Sequence, residues 1–101
     1  MTAADLLRAY CAAFAARDVA AIERLFAEDA VCDLPLLDER LVGHAHVVRE
    51  VATAIRGLAD IRVDLGVVTD DGTVAMAEGV FQGELVGHPP AVDGTPPRLD
   101  F

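Results

Sequence analysis

The apolar positions of this chain change period three times, and each change marks an element. Leu6, Leu7, Tyr10, Cys11 and Phe14 recur at helical spacing and draw one stripe. Thr2, with Asp5 three residues on, supplies the reciprocal cap that starts such a helix. Asp18 breaks the stripe and caps a shorter helix whose buried edge is Ile22, Leu25 and Phe26. Glu28 and Asp29 end it. Residues 30–36 form a short apolar run bounded by Pro35, which predicts a strand, and residues 37–42 read as a polar loop carrying Asp38, Glu39 and Arg40.

Helical spacing returns after Gly43 and His44, with Val47, Val48, Val51, Ala54, Ile55 and Leu58 on the inner side of a third helix. Gly57 is its C-terminal cap, and Arg56 suits the negative end of the helix dipole. Three valines lower the intrinsic propensity here, so burial has to hold this helix.

The period then drops to two. In residues 61–69, Ile61, Val63, Leu65 and Val67 share one face and Arg62, Asp64 and Gly66 the other. Asp70, Asp71 and Gly72 make a hairpin turn in which glycine supplies positive φ. Residues 73–85 return, with Val74, Met76, Glu78, Val80 and Gln82 on one face and Ala75, Ala77, Gly79, Phe81 and Gly83 on the other. Residues 86–97 read as a loop with Pro89, Pro90, Pro96 and Pro97, and Arg98 to Phe101 as the start of a further strand. Helices first and antiparallel strands after them give an α+β fold, with N-terminal helices packed on a curved antiparallel sheet.

Composition narrows the function classes. The chain has 101 residues, one small domain's worth, and 53% of them are hydrophobic, which places it among globular proteins. Every basic residue is arginine. Eight arginines against 17 carboxylates leave a net charge of −9, which argues against nucleic acid and anionic membranes as partners. No apolar run approaches the roughly 20 residues of a membrane span, and an acidic residue precedes any basic one, unlike a secretory signal. Cys11 and Cys32 sit in apolar settings and read as free thiols, so the expected location is cytoplasmic.

The residues RAYCAAFAARDVAAIERLFAEDAVCDLP resemble the opening of the nuclear-transport-factor-2-like superfamily, which includes ketosteroid isomerases, SnoaL-like polyketide cyclases and limonene-epoxide hydrolases. GVFQGELVGHPPAVDGTPPR is similar to the hairpin arm of the SnoaL-like group. The resemblance implies a cone: three helices close over a bent sheet and enclose a pocket open at one end. It also implies two long closing strands, of which the first only begins at Arg98 to Phe101. A single domain over residues 1–101 is therefore expected to lack its C-terminal strands, as a fragment or with those strands supplied from elsewhere. A sheet without them would expose an edge strand, and the chain is expected to form a homodimer through the sheet or to aggregate.

Two residues are candidates for catalysis. Tyr10 falls where the isomerases place a phenol that donates to a developing enolate oxygen; the other reading is an amphipathic residue lining the pocket rim. Glu78 would be a general base if its strand face lined the cavity, because desolvation raises a carboxylate's pKa. Phe81 and the small residues beside it suit the inner side better, which turns Glu78 outward beside Met76 and Val80.

Phe14, Phe26, Cys32, Leu34, Val51, Ile55 and Phe81 are the expected ligand-binding lining. The position matching the isomerase base is Leu34, with Asp33 on the opposite face of the strand, and the cyclase histidine matches Phe81. Those two mechanisms are therefore disfavoured. Arg98 and Asp100 are similar to the hydrolase Arg-x-Asp pair but stand out of register with it.

His44 and His46 are two apart on a helix, His88 is remote, and no metal-ligand spacing occurs. No phosphate loop, nucleophile elbow or dinucleotide fingerprint is present, so no cofactor is expected. The function these readings imply is binding of a small, mostly apolar molecule, polyketide-, steroid- or terpene-like, with isomerase, cyclase or hydrolase activity left open. The alternative is a non-catalytic association module whose cone is filled by side chains.

Overall fold

A computed structural model describes residues 1–87, 94 and 98–100, with the side chains of Leu36, Leu99 and Asp100 left aside. Helices α1 (Ala3–Ala15), α2 (Val19–Leu25) and α3 (His44–Arg56) pack with a hairpin, β1 (Val31–Leu34) and β2 (Glu39–Val42), and a second antiparallel sheet. That sheet has the order β3 (Leu58–Asp70), β4 (Ala75–Leu85), β5 (Arg98–Asp100).

The caps form as their chemistry dictates. Thr2 and Asp5 close a reciprocal box at the start of α1, and Asp18 accepts from the Ala21 N–H to start α2. At the β3–β4 turn Gly72 takes φ +96°, while Asp70 and Asp71 fold their carboxylates back onto the N–H groups of Gly72, Thr73 and Val74.

Ile22 and Val47 are wholly buried and meet Ala13, Phe14, Leu41, Val51, Ile55 and Leu58 in the core between the helices and both sheets. Burying a side chain such as Ile22 contributes about 1.5–3 kcal/mol.

Several boundaries differ from the sequence pattern. Residues 30–36 are not one strand: β1 ends at Leu34, and Pro35 opens a short 3-10 turn, Pro35–Leu37, because its fixed φ suits a first helical position. Residues 37–42 are not a loop. After Asp38 turns the chain at φ +52°, residues 39–42 pair back along β1. Only Leu41 of β2 is buried, so no alternation announced the strand.

On α1 Leu6 faces outward and Ala4 and Ala13 are buried with Phe14; on α3 Ala52 is buried and Ala54 exposed. Leu58 is buried as the first residue of β3, not as part of the helix. In β3 a register shift between Leu65 and Val68 moves Val67 out into solvent and brings Val68 inward, since a bulge reverses the alternation.

The expected strand at Arg98 forms as β5 and pairs with residues 82–84 of β4. The proline-rich stretch after Gly87, with His88, and the terminal Phe101 lie outside the described residues, apart from Gly94. No helix among the described residues is long and apolar enough to cross a membrane.

Candidate functional site

Three elements bring four aromatic rings together. Tyr10 and Phe14 are one helical turn apart on α1 and so share a face, with centroids 6.0 Å apart. Phe26, at the C-cap of α2, meets Tyr10 edge-on at 5.6 Å and 77°. Phe81, on the inner face of β4 opposite Val63, meets Phe14 at 5.4 Å and 64°. Edge-on contacts of this kind are the favoured geometry for aromatic quadrupoles.

The other lining candidates divide by depth. Val51 and Ile55, one turn apart on α3, are buried core residues beneath the rings, and Phe14 joins them. Cys32 and Leu34 alternate inward on β1 and are half-buried against the same core. Asp33, between them, faces out. It is held by Arg40 through two hydrogen bonds of 2.6 and 3.1 Å, with β1 and β2 in unbroken register. Leu34 therefore occupies the inward position and Asp33 does not.

Tyr10 is the polar atom of this cluster. It is half-buried, and its hydroxyl takes no hydrogen-bond partner among the described residues. Burial first, and then the neighbouring Cys32 and Cys11 thiols, push its pKa up to about 12. Burial likewise raises both thiols. At neutral pH the cluster thus presents an uncharged phenol and two uncharged thiols among aromatic rings, an arrangement suited to donating a hydrogen bond to a ligand oxygen.

Glu78 is elsewhere. It is exposed on the outer face of β4, whose neighbours Met76 and Val80 are 70% and 50% exposed, while Phe81 faces the helices. That placement removes Glu78 from the cavity-lining candidates, because alternation sends it to the side opposite Phe81.

Two open, polar grooves lie instead along the β1–β2 hairpin. One, of about 350 Å³, is lined by Asp33, Pro35, Asp38, Glu39 and Arg40. The other, of about 260 Å³, is lined by Glu39, Arg40, Leu41, His46 and Glu50. Neither shares a residue with the aromatic cluster, and neither has the apolar walls of a small-molecule site.

Sequence reasoning missed the polar bonds that hold α1 to the sheet. Asp70 accepts from the Ala4 N–H at 2.8 Å, and Arg17 donates to the Leu58 carbonyl. It also missed an ion cluster across the second sheet. There Arg98 reaches Glu84 at 3.2 Å and Asp60 at 3.9 Å, and Arg62 reaches Asp60 at 3.6 Å. The turn signal at Asp70 hid its second role, and nothing in the spacing brought Asp60 to Arg98.

Residues 7–101 match the family model of the SnoaL-like domain. No curated protein matches the chain. A proposed polyketide cyclase from Pseudomonas putida KT2440 is 31% identical with a TM-score of 0.70, over 99% of this chain and 77% of that one. A hypothetical protein with a ketosteroid isomerase-like fold from Catenulispora acidiphila, in complex with trimethylamine, is 20% identical with a TM-score of 0.74, over 94% of this chain and 69% of that one. A proposed SnoaL-like polyketide cyclase from Shewanella denitrificans is 15% identical with a TM-score of 0.73, over 96% and 70%. The helices and antiparallel sheets match the cone of these structures.

Proposed function

Because this chain belongs to the SnoaL-like domain family, within the nuclear-transport-factor-2-like superfamily, we propose that its aromatic cluster binds a small, mostly apolar molecule, polyketide-, steroid- or terpene-like, through an acceptor oxygen at Tyr10. The observation that carries this reading is the partnerless phenol: a hydroxyl set in an apolar cluster with no acceptor among the described residues. Water reaches that hydroxyl, since no buried side-chain polar atom among the described residues lacks a partner, and a ligand carbonyl held by the surrounding rings takes the place of that water. The charge of the site supports a neutral ligand. Only thiols perturb Tyr10 electrostatically, and the nearest strand carboxylate, Asp33, is turned out to Arg40.

Chemistry at this site would be of the isomerase or cyclase class, with Tyr10 stabilising charge that develops on the ligand oxygen. With Leu34 and Phe81 at the two inherited proton-transfer positions, binding is the stronger part of the reading. Titration with an apolar fluorescent ketone of the acylnaphthalene type tests it. Tyr10→Phe should fold as the wild type does and lose about 0.5–1.5 kcal/mol of binding, the worth of one neutral hydrogen bond. Equal affinity of the two proteins would remove Tyr10 from the site.

A second reading has its own observation. Val67, Met76 and Val80 are half or more exposed on the outer face of the sheet, and exposed large apolar side chains on one face suit contact with another chain. On this reading two copies pair through that face, and the rings Phe14, Phe26 and Phe81 simply fill the cone.

A further inference from the structure

Helix α1 is fastened to one strand at both ends. Asp70, the last residue of β3, accepts from the Ala4 N–H in the first turn of the helix at 2.8 Å. Arg17, just past the other end, donates through Nη1 to the carbonyl of Leu58, the first residue of β3. The helix and the strand therefore run in opposite directions. A 13-residue helix is about 20 Å long, whereas 13 residues of extended strand span about 40 Å. The two register shifts in β3 bend the strand, which draws its ends toward those of the helix.

Asp70 is not needed to start α1. The box of Thr2 and Asp5 already caps it, using the N–H groups of those two residues. The Ala4 N–H is instead an orphan donor that the far end of β3 satisfies. The Thr2 side chain at the N-cap also bonds Asp70, so the carboxylate holds the start of the helix at two successive points, Thr2 and Ala4. The packing of Ala13 and Phe14 on Leu58 is apolar, and such packing resists separation more than it resists sliding. A directional bond fixes the register. The carboxylate that makes it is itself fixed, since Asp70 Oδ1 accepts from the Gly72 N–H at 2.6 Å within the turn. Tyr10 lies about midway between Ala4 and Arg17, on a helix too short and regular to absorb a shift at its end.

We propose that Asp70 is a positioning residue for Tyr10: its bond to the first turn of α1 sets where the helix holds the phenol against Phe26 and the cone wall. The proposal rests on the reading of Tyr10 as the ligand donor only for its consequence in binding. The positioning stands on the two anchors.

The test compares the full wild-type chain with Asp70→Ser, Asp70→Asn and Asp71→Ala. Serine at this place still accepts from the Gly72 N–H and keeps the turn, but it is too short to reach Ala4 as well. Tyr10 is the single tyrosine of a chain without tryptophan, so the tyrosine band of the near-ultraviolet circular dichroism spectrum reports its ordering alone. With far-ultraviolet signal retained, Asp70→Ser should reduce that band by half or more and weaken binding of the acylnaphthalene ketone roughly three- to tenfold. Asp70→Asn, which keeps an acceptor of the right length, should fall between Asp70→Ser and wild type. Asp71→Ala removes a carboxylate that bonds only Thr73 and Val74 and should leave the tyrosine band as it is.

An unchanged band in Asp70→Ser overturns the positioning, whatever the affinity does. An equal loss in Asp71→Ala also overturns it, by showing that turn integrity alone moves Tyr10. A reduced band with unchanged ketone affinity upholds the positioning and counts against the binding reading instead.

Discussion

Asp33 and Arg40 stand opposite one another on β1 and β2, and Arg40 grips both carboxylate oxygens from the outer side of the hairpin. The pair marks the phase of β1, which the packing of Cys32 and Leu34 on the core sets. With Asp33 out, Cys32 and Leu34 are in, and the inward place beside the aromatic cluster goes to a leucine.

Leu34→Asp should therefore put a carboxylate into the apolar cluster that Tyr10 shares. Desolvation there raises its pKa toward the range of a general base. The expected result is measurable isomerisation of a β,γ-unsaturated ketone, at a cost in stability from the buried acid. No gain over wild type would show that position 34 and Tyr10 do not share one cavity.

Tyr10 should titrate late. Its pKa of about 12, against an ordinary 10.0, reflects burial of the phenolate form. Between those values the unfolded chain has lost the proton and the folded chain keeps it. Stability is thus intact below about pH 10 and falls as pH rises toward 12. Absorbance of the single phenolate follows the titration directly, and a midpoint near 10 would mean that the hydroxyl stands in water.

Gly79→Ala should destabilise the second sheet by about 1–3 kcal/mol. A Cβ there would lie 2.6 Å from the Asp64 carbonyl oxygen and 3.2 Å from a Leu65 methyl, and the backbone atom cannot give way. Gly66→Ala is the control, because its nearest contact would be an ordinary 3.5 Å. Urea denaturation of the pair separates a packing demand from a general dislike of alanine in the strand.

The association reading predicts that wild type sediments as a dimer at micromolar concentration and that Val80→Arg shifts it to monomer. Val80 is half exposed on the outer sheet face, so the substitution leaves the core untouched. A wild-type chain that is monomeric under those conditions removes this reading.

Local chemistry determined much of this protein from the sequence by itself. Thr2 and Asp5, Asp18, and the Asp70–Gly72 turn each act through bonds within a few residues, so their patterns were sufficient. The stripe of Val47, Val51 and Ile55 followed from periodicity, and with it and the alternating strands the α+β class.

Other features came only from tertiary structure, because they depend on partners far away in the chain or on breaks in period. The β2 strand buries Leu41 alone and is defined by its register with β1. The bulge that expels Val67 reverses an alternation the sequence continues without interruption. Which side Glu78 takes was settled by the packing of Phe81 on Phe14. Asp70 reaches a helix sixty-six residues away, a bond no local rule contains, since a carboxylate has one acceptor for its own turn and another for whatever the fold brings to it.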